Sequence, residues 1–129
     1  MSEVKYKRIL LKLSGEALAG DAHRGLDFSI INSVCEVIKA CSELGVQIGL
    51  VIGAGNFWRG VKDGADKMQR SHADAMGMLG TVMNAIAVAD ALEKHGMDAR
   101  FYRIGHINGV DIHHVELAKD RVKDVKRLR

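Results

Sequence analysis

The chain has 129 residues, 47% of them hydrophobic, with a formal charge of +3 and an isoelectric point near 9.0, which is enough for one ordinary domain and too short for two. No run of eighteen residues is free of charge, and the polar leader, residues 1–7, has no apolar signal region, so a membrane span or secretion is disfavoured and a cytoplasmic protein is expected. The basic excess sits in residues 116–129, where six Lys or Arg face three Asp or Glu; the rest is neutral, so the overall basicity does not mark a nucleic-acid binder.

With no proline and fourteen glycines, glycine does the punctuation. Arg8–Leu13 is an apolar run that ends at Ser14-Gly15, the pattern of a buried parallel strand feeding a tight turn. A loop containing Gly20, Asp21 and Gly25 follows, and Asp27 suits an N-cap. Ile30, Val34, Val37 or Ile38, Cys41 and Leu44 recur at helical spacing, with Gly45 at the stop. Cys35 and Cys41 fall on this helix about 9 Å apart along its axis and on different faces, which predicts free thiols used as small core residues.

Gln47–Ile52 is a second apolar strand, ending in Gly53-Ala54-Gly55-Asn56. Residues 57–71 read as a loop or short irregular helix. A long helix is expected over residues 72–95, with Met76, Leu79, Met83 and Ile86 on one face. Gly77, Gly80, Ala85, Ala87 and Ala89 permit close approach of a neighbour. The series Met68, Met76, Met78 and Met83 reads as core filler. Gly96 stops the helix, and residues 98–104 alternate enough for a third strand. The alternation predicts an α/β fold, a parallel sheet with helices on both faces, whose ligand crevice lies beyond the carboxyl ends of the strands. Both glycine turns then open on one crevice. A three-stranded sheet of this kind leaves one edge open and is expected to be marginally stable.

Glycine turns with exposed N–H groups attract phosphate. Lys12 supplies a mobile point charge there and Arg59 a bidentate fork, each charged hydrogen bond contributing roughly 1.5–3 kcal/mol. The plain alternatives are a strand lysine whose stem snorkels and a solvated loop arginine. Asp74 could accept from ribose hydroxyls, although spacing alone favours a helix-start charge suited to the macrodipole. His72, His106, His113 and His114 lack the helical pairing with a carboxylate that a zinc site needs. The Walker glycine-lysine loop is absent, Trp58 stands where a dinucleotide fingerprint needs its third glycine, and the protein-kinase triplets are missing.

Three stretches closely resemble the bacterial UMP kinases (uridylate kinases), which have the amino acid kinase fold. The first runs from Tyr6 through Lys12-Leu13-Ser14-Gly15-Glu16 to Leu18, the second is Gly53-Ala54-Gly55-Asn56-Phe57-Trp58-Arg59-Gly60, and the third is Ala73-Asp74-Ala75-Met76-Gly77-Met78-Leu79-Gly80 and onward to Ala85. The resemblance covers residues 6–100. It implies transfer of the ATP γ-phosphate to UMP with Mg²⁺, in cytoplasmic pyrimidine nucleotide biosynthesis, by a homohexamer. It assigns Lys12, Leu13, Ser14, Gly15, Gly55 and Arg59 to ATP, with Lys12 and Arg59 catalytic, and Ala54 and Asp74 to UMP; no residue is assigned to a metal. Gly20 and Gly25 bound a loop that aligns with the family's GTP-effector loop, where His23-Arg24 replace Gly-Phe. Ala54 stands where glycine is common, and a demand for positive φ there would be costly.

Residues 1–104 then form the acceptor-side part of the kinase domain. Residues 105–129 are an unmatched, basic, helical tail of the kind a frameshift or truncation leaves. Two other functions compete with catalysis by this chain: a non-catalytic UMP- or phosphate-binding or subunit-joining module, and nucleic-acid binding through Lys119, Arg121, Lys123, Lys126, Arg127 and Arg129. For the last, a solvated basic helix end is the simpler account.

Overall fold

The computed structural model describes residues 3–64, 66–99, 106–107 and 110–111. Strand β1 (Arg8–Leu13) leads into two short 3-10 turns, Gly15–Leu18 and Gly20–Ala22. Helix α1 (Phe28–Glu43), strand β2 (Gln47–Ile52), the single turn α2 (Gly60–Gly64) and the long helix α3 (Arg70–Lys94) follow. β1 and β2 pair in parallel, with Arg8 opposite Gln47 and Leu13 opposite Ile52. Both strands keep the bounds read from the sequence.

Local chemistry explains the helix ends. Asp27 caps α1, its Oδ1 accepting from the N–H of Ser29 at 3.0 Å and of Ile30 at 3.4 Å. Gly45 (φ 85°) and Gly96 (φ 80°) take the left-handed conformation just past α1 and α3, where glycine avoids a Cβ penalty.

Burial departs from the expected stripes. α1 buries Ile31, Cys35 and Ile38, while Val37 and Leu44 are exposed. Cys35 is a free thiol, and burial raises its pKa because the thiolate would lose its hydration; Cys41 is also free but only half-buried. α3 turns its small side inward, burying Ala73, Gly80, Asn84, Val88, Ala91 and Leu92. The Met76, Leu79, Met83 and Ile86 stripe faces outward, with Met83 53% exposed, and Met78 is exposed as well, so these methionines are not core filler. α3 is long and apolar enough to cross a membrane by length and composition, yet its inner side closes the core.

That core joins Leu18, Ile31, Cys35, Ile38, Val88, Ala91 and Leu92, with Leu11, Ile48, Leu50 and Ile52 of the sheet packed against it. Side chains alternate across a strand, so these residues share one sheet face, and α1 and α3 both lie on it. Helices are expected on the opposite face too, but none of the described helices packs there: Leu10, which leans over Gly49, is 73% exposed and Val51 48%. β1 is thus half-buried and alternating rather than fully buried.

Residues 98–99 are not in a strand, and the rest of the expected third strand lies outside the described residues. Within the stretch read as a helical tail, His106–Ile107 (β3) and Val110–Asp111 (β4) pair antiparallel. The Asn-Gly sequence between them is the pair most favoured in tight hairpins. The amphipathic stretch after residue 111, with His113, His114 and its basic residues, lies outside the described residues.

Candidate functional site

The two glycine turns meet. A Cβ built on Gly15 would stand 2.5 Å from Asn56 Oδ1, 2.6 Å from the Gly55 nitrogen and 2.8 Å from the Gly53 oxygen. No side chain fits between the bends, so glycine at 15 is a packing requirement. The Gly53 N–H donates to the Leu13 oxygen at 3.0 Å, continuing the sheet into the bends.

A pair of buried asparagines fixes this floor. Asn84, from the middle of α3, and Asn56, from the second bend, donate to each other's Oδ1 at 2.7 and 3.0 Å. Asn84 Nδ2 also donates to the Gly53 oxygen at 2.7 Å, and Asn56 Nδ2 to the Gly25 oxygen at 2.8 Å. The Gly25 N–H returns a bond to the Asn56 oxygen at 3.0 Å. One network therefore ties α3, the second bend and the 20–25 loop together, and both buried asparagine amides have partners.

Ala54 is buried and has ordinary backbone geometry; His23 is the one non-glycine residue at positive φ (59°) among the described residues. The Ala54 methyl points at Gly80, whose absent Cβ would lie 2.9 Å away. Alanine is accommodated there because α3 presents a glycine. Strain falls instead on His23, which occupies a left-handed position in the 20–25 loop.

Above the floor lies a cleft of about 340 Å³ lined by Glu16, Ala22, His23, Arg24, Gly55, Asn56, Phe57, Arg59, Lys62 and Asp63. Its size suits a small ligand. Three cations face two carboxylates across it. The Arg59 guanidinium pairs with Glu16, and the Arg59 N–H donates to Asp63 Oδ2 at 2.9 Å, which caps α2. Trp58 anchors the wall beneath: its indole N–H donates to the Ala73 oxygen at 2.8 Å, and it packs beside Gly64.

The structure brings Gly15, Gly55 and Arg59 together, with Gly20 and Gly25 (φ 62° and 71°) bounding the loop that carries His23 and Arg24 to the same cleft. Ser14 caps the first 3-10 turn, its Oγ accepting from the Ala17 N–H at 3.2 Å. Lys12 is exposed on the open sheet face, has no ion pair among the described residues and does not line the cleft. Leu13 is half-buried on the core side. Asp74 is exposed at the start of α3, where it accepts from Arg70 Nε at 2.8 Å, and it too lies off the cleft. The sequence reading assigned no role to Glu16, Asn56 or Asn84. A lone asparagine amid the small residues of a long helix was the available signal for the last.

The model of the amino acid kinase family matches residues 7–127, nearly the whole sequence: this chain belongs to the amino acid kinase family. It is 53% identical over 100 residues to a protein named uridylate kinase from Pediococcus pentosaceus, a match covering 78% of this chain and 42% of that one. Among solved structures it resembles UMP kinase from Ureaplasma parvum, with a TM-score of 0.67 and 33% identity over 74% of this chain and 42% of that one. It also resembles UMP kinase from Bacillus anthracis, with a TM-score of 0.60 and 29% identity over 77% of this chain and 40% of that one. The chain thus spans about two fifths of the length of these relatives.

Proposed function

We propose that this chain is the phosphate-gathering part of a UMP kinase, in which ATP phosphorylates UMP to UDP. One observation carries the reading: two glycine bends in van der Waals contact lie under an arginine at the rim of a polar cleft. In the reaction a UMP phosphate oxygen bonds to the γ-phosphorus of ATP while the bond from that phosphorus to the β,γ-bridging oxygen breaks, releasing ADP. Such transfer needs positioning and charge neutralisation more than covalent help. Arg59 and the N–H groups around Gly15 and Gly55 hold phosphate oxygens; Lys12, which starts outside the cleft on the open sheet face, must swing over the strand exit to join them. Ala54 and Asp74 belong to the UMP side, and Leu13 and Ser14 to the ATP side. Asp74 must exchange its Arg70 partner to serve there.

Mg²⁺ accompanies ATP in this proposal. Among the described residues no group of three or more His, Cys, Asp or Glu gathers to hold the ion, so it would come with the nucleotide. A cytoplasmic setting, GTP as effector at the 20–25 loop, and a boundary near residue 104 belong to the same proposal, although the family match runs past that boundary to residue 127.

A coupled assay for ADP with ATP, Mg²⁺ and UMP tests catalysis. Lys12→Ala is expected to lower kcat with little change in the KM for UMP. Undetectable UDP at high protein concentration would leave only the binding reading.

That second reading, a subunit-joining module, is favoured by the exposed apolar stripe of α3, where Met76, Leu79, Met83 and Ile86 lie within reach of a partner helix. The homohexamer of the family resemblance is the assembly it would serve.

A further inference from the structure

The Arg59–Glu16 pair places an anion of the protein itself where the proposed substrate's phosphate is needed. Glu16 follows Gly15 directly, in the first 3-10 turn, so its carboxylate is carried to the second bend by the glycine contact that builds the floor. A Cβ on Gly55 would lie 3.0 Å from Glu16 Oε1 and 3.1 Å from Glu16 Cγ. The carboxylate therefore rests on the bare backbone of the second bend as well as on the Arg59 guanidinium. These are two independent contacts, one steric and one ionic, and both are ones a phosphate oxygen would make. Arg59 is simultaneously tethered through its backbone N–H to Asp63, so its main chain stays fixed while its side chain can change partner.

We propose that Glu16 is an intramolecular stand-in for substrate phosphate: it keeps Arg59 aimed at the second glycine bend in the free protein and must give way when an anionic ligand enters. This rests on the reading of Arg59 as a phosphate-binding residue. Glu16 is a positioning residue, because it acts through Arg59. Carboxylate and phosphate compete for the same donors, and a dianionic phosphate presents more acceptor oxygens in the same fork geometry. Both side chains of the pair are partly solvated, at 38% and 51% exposure, so the competition is shallow and the latch can open.

The test is equilibrium dialysis of radiolabelled ATP against the full chain, with wild type, Glu16→Gln, Arg59→Ala and the double variant compared. Glu16→Gln is expected to tighten ATP binding by about two- to fivefold, the range that loss of an exposed ion pair allows. The gain should vanish in the Arg59→Ala background. Glu16→Ala should change affinity in the same direction, and circular dichroism verifies that each variant folds. A Glu16→Gln protein that binds ATP no better than wild type, while Arg59→Ala still weakens binding, overturns the stand-in role and leaves the functional reading intact. Arg59→Ala binding as tightly as wild type, or no binding by any of the four proteins, overturns the functional reading and this inference with it.

Discussion

The floor of the cleft and its rim are built on opposite terms. The floor consists of Gly15, Gly53, Ala54, Gly80 and the asparagine pair, in contacts with no spare volume and with both buried asparagine amides satisfied. The rim consists of charged side chains, Glu16, Arg24, Arg59 and Lys62, partly in water and free to exchange partners. Close packing makes the floor intolerant of one added carbon, whereas solvated charges cost little to change. The contrast separates residues that make the site exist from those that make it bind.

The sharpest way to break the comparison is Gly15→Ala. Its methyl would meet backbone on two sides, so we expect a loss of about 3 kcal/mol or more in urea unfolding; a loss within error would mean that the bends are not packed as described. Next comes Asn84→Ala, which leaves the Asn56 amide and the Gly53 carbonyl without their buried partner. About 2 kcal/mol should disappear from the same measurement. The smallest effect belongs outside the floor: Lys12→Ala should leave the unfolding midpoint within about 0.5 kcal/mol of wild type, since Lys12 is exposed and unpaired among the described residues. A large loss there would erase the distinction between residues that hold the fold and residues that serve binding.

What could be read from the residues alone follows the same division. The bounds of β1 and β2, the Asp27 cap and the stops at Gly45 and Gly96 are local chemistry, each written in a few adjacent residues of the chain. The meeting of the two glycine turns was also legible, because parallel strands put their exits on one rim. The inward side of α3 was legible in part: its small residues, Gly80 among them, read as permitting close approach, and the second bend does approach there. The methionines read as core filler, but Met76, Met78 and Met83 turn outward because only Gly80, Asn84 and small neighbours fit against the bend. The Asn56–Asn84 exchange and the Glu16–Arg59 pair join residues 28 and 43 positions apart. No periodicity in a single sequence encodes such a meeting. The same holds for the bare sheet face, since alternation along β1 says which side chains differ in direction but not which direction is covered.

That face, bare among the described residues, bears on how the protein behaves as a solute. Hydrocarbon from Leu10 and Val51 stays wetted while the helices occupy the other side, so lyotropic anions such as sulfate, which raise the free energy of exposed apolar area, should drive molecules together at lower concentrations than the net charge alone would suggest. Chaotropic or low-salt buffers act in the opposite sense, and the ribbon's outer surface shares this role with the exposed stripe of α3.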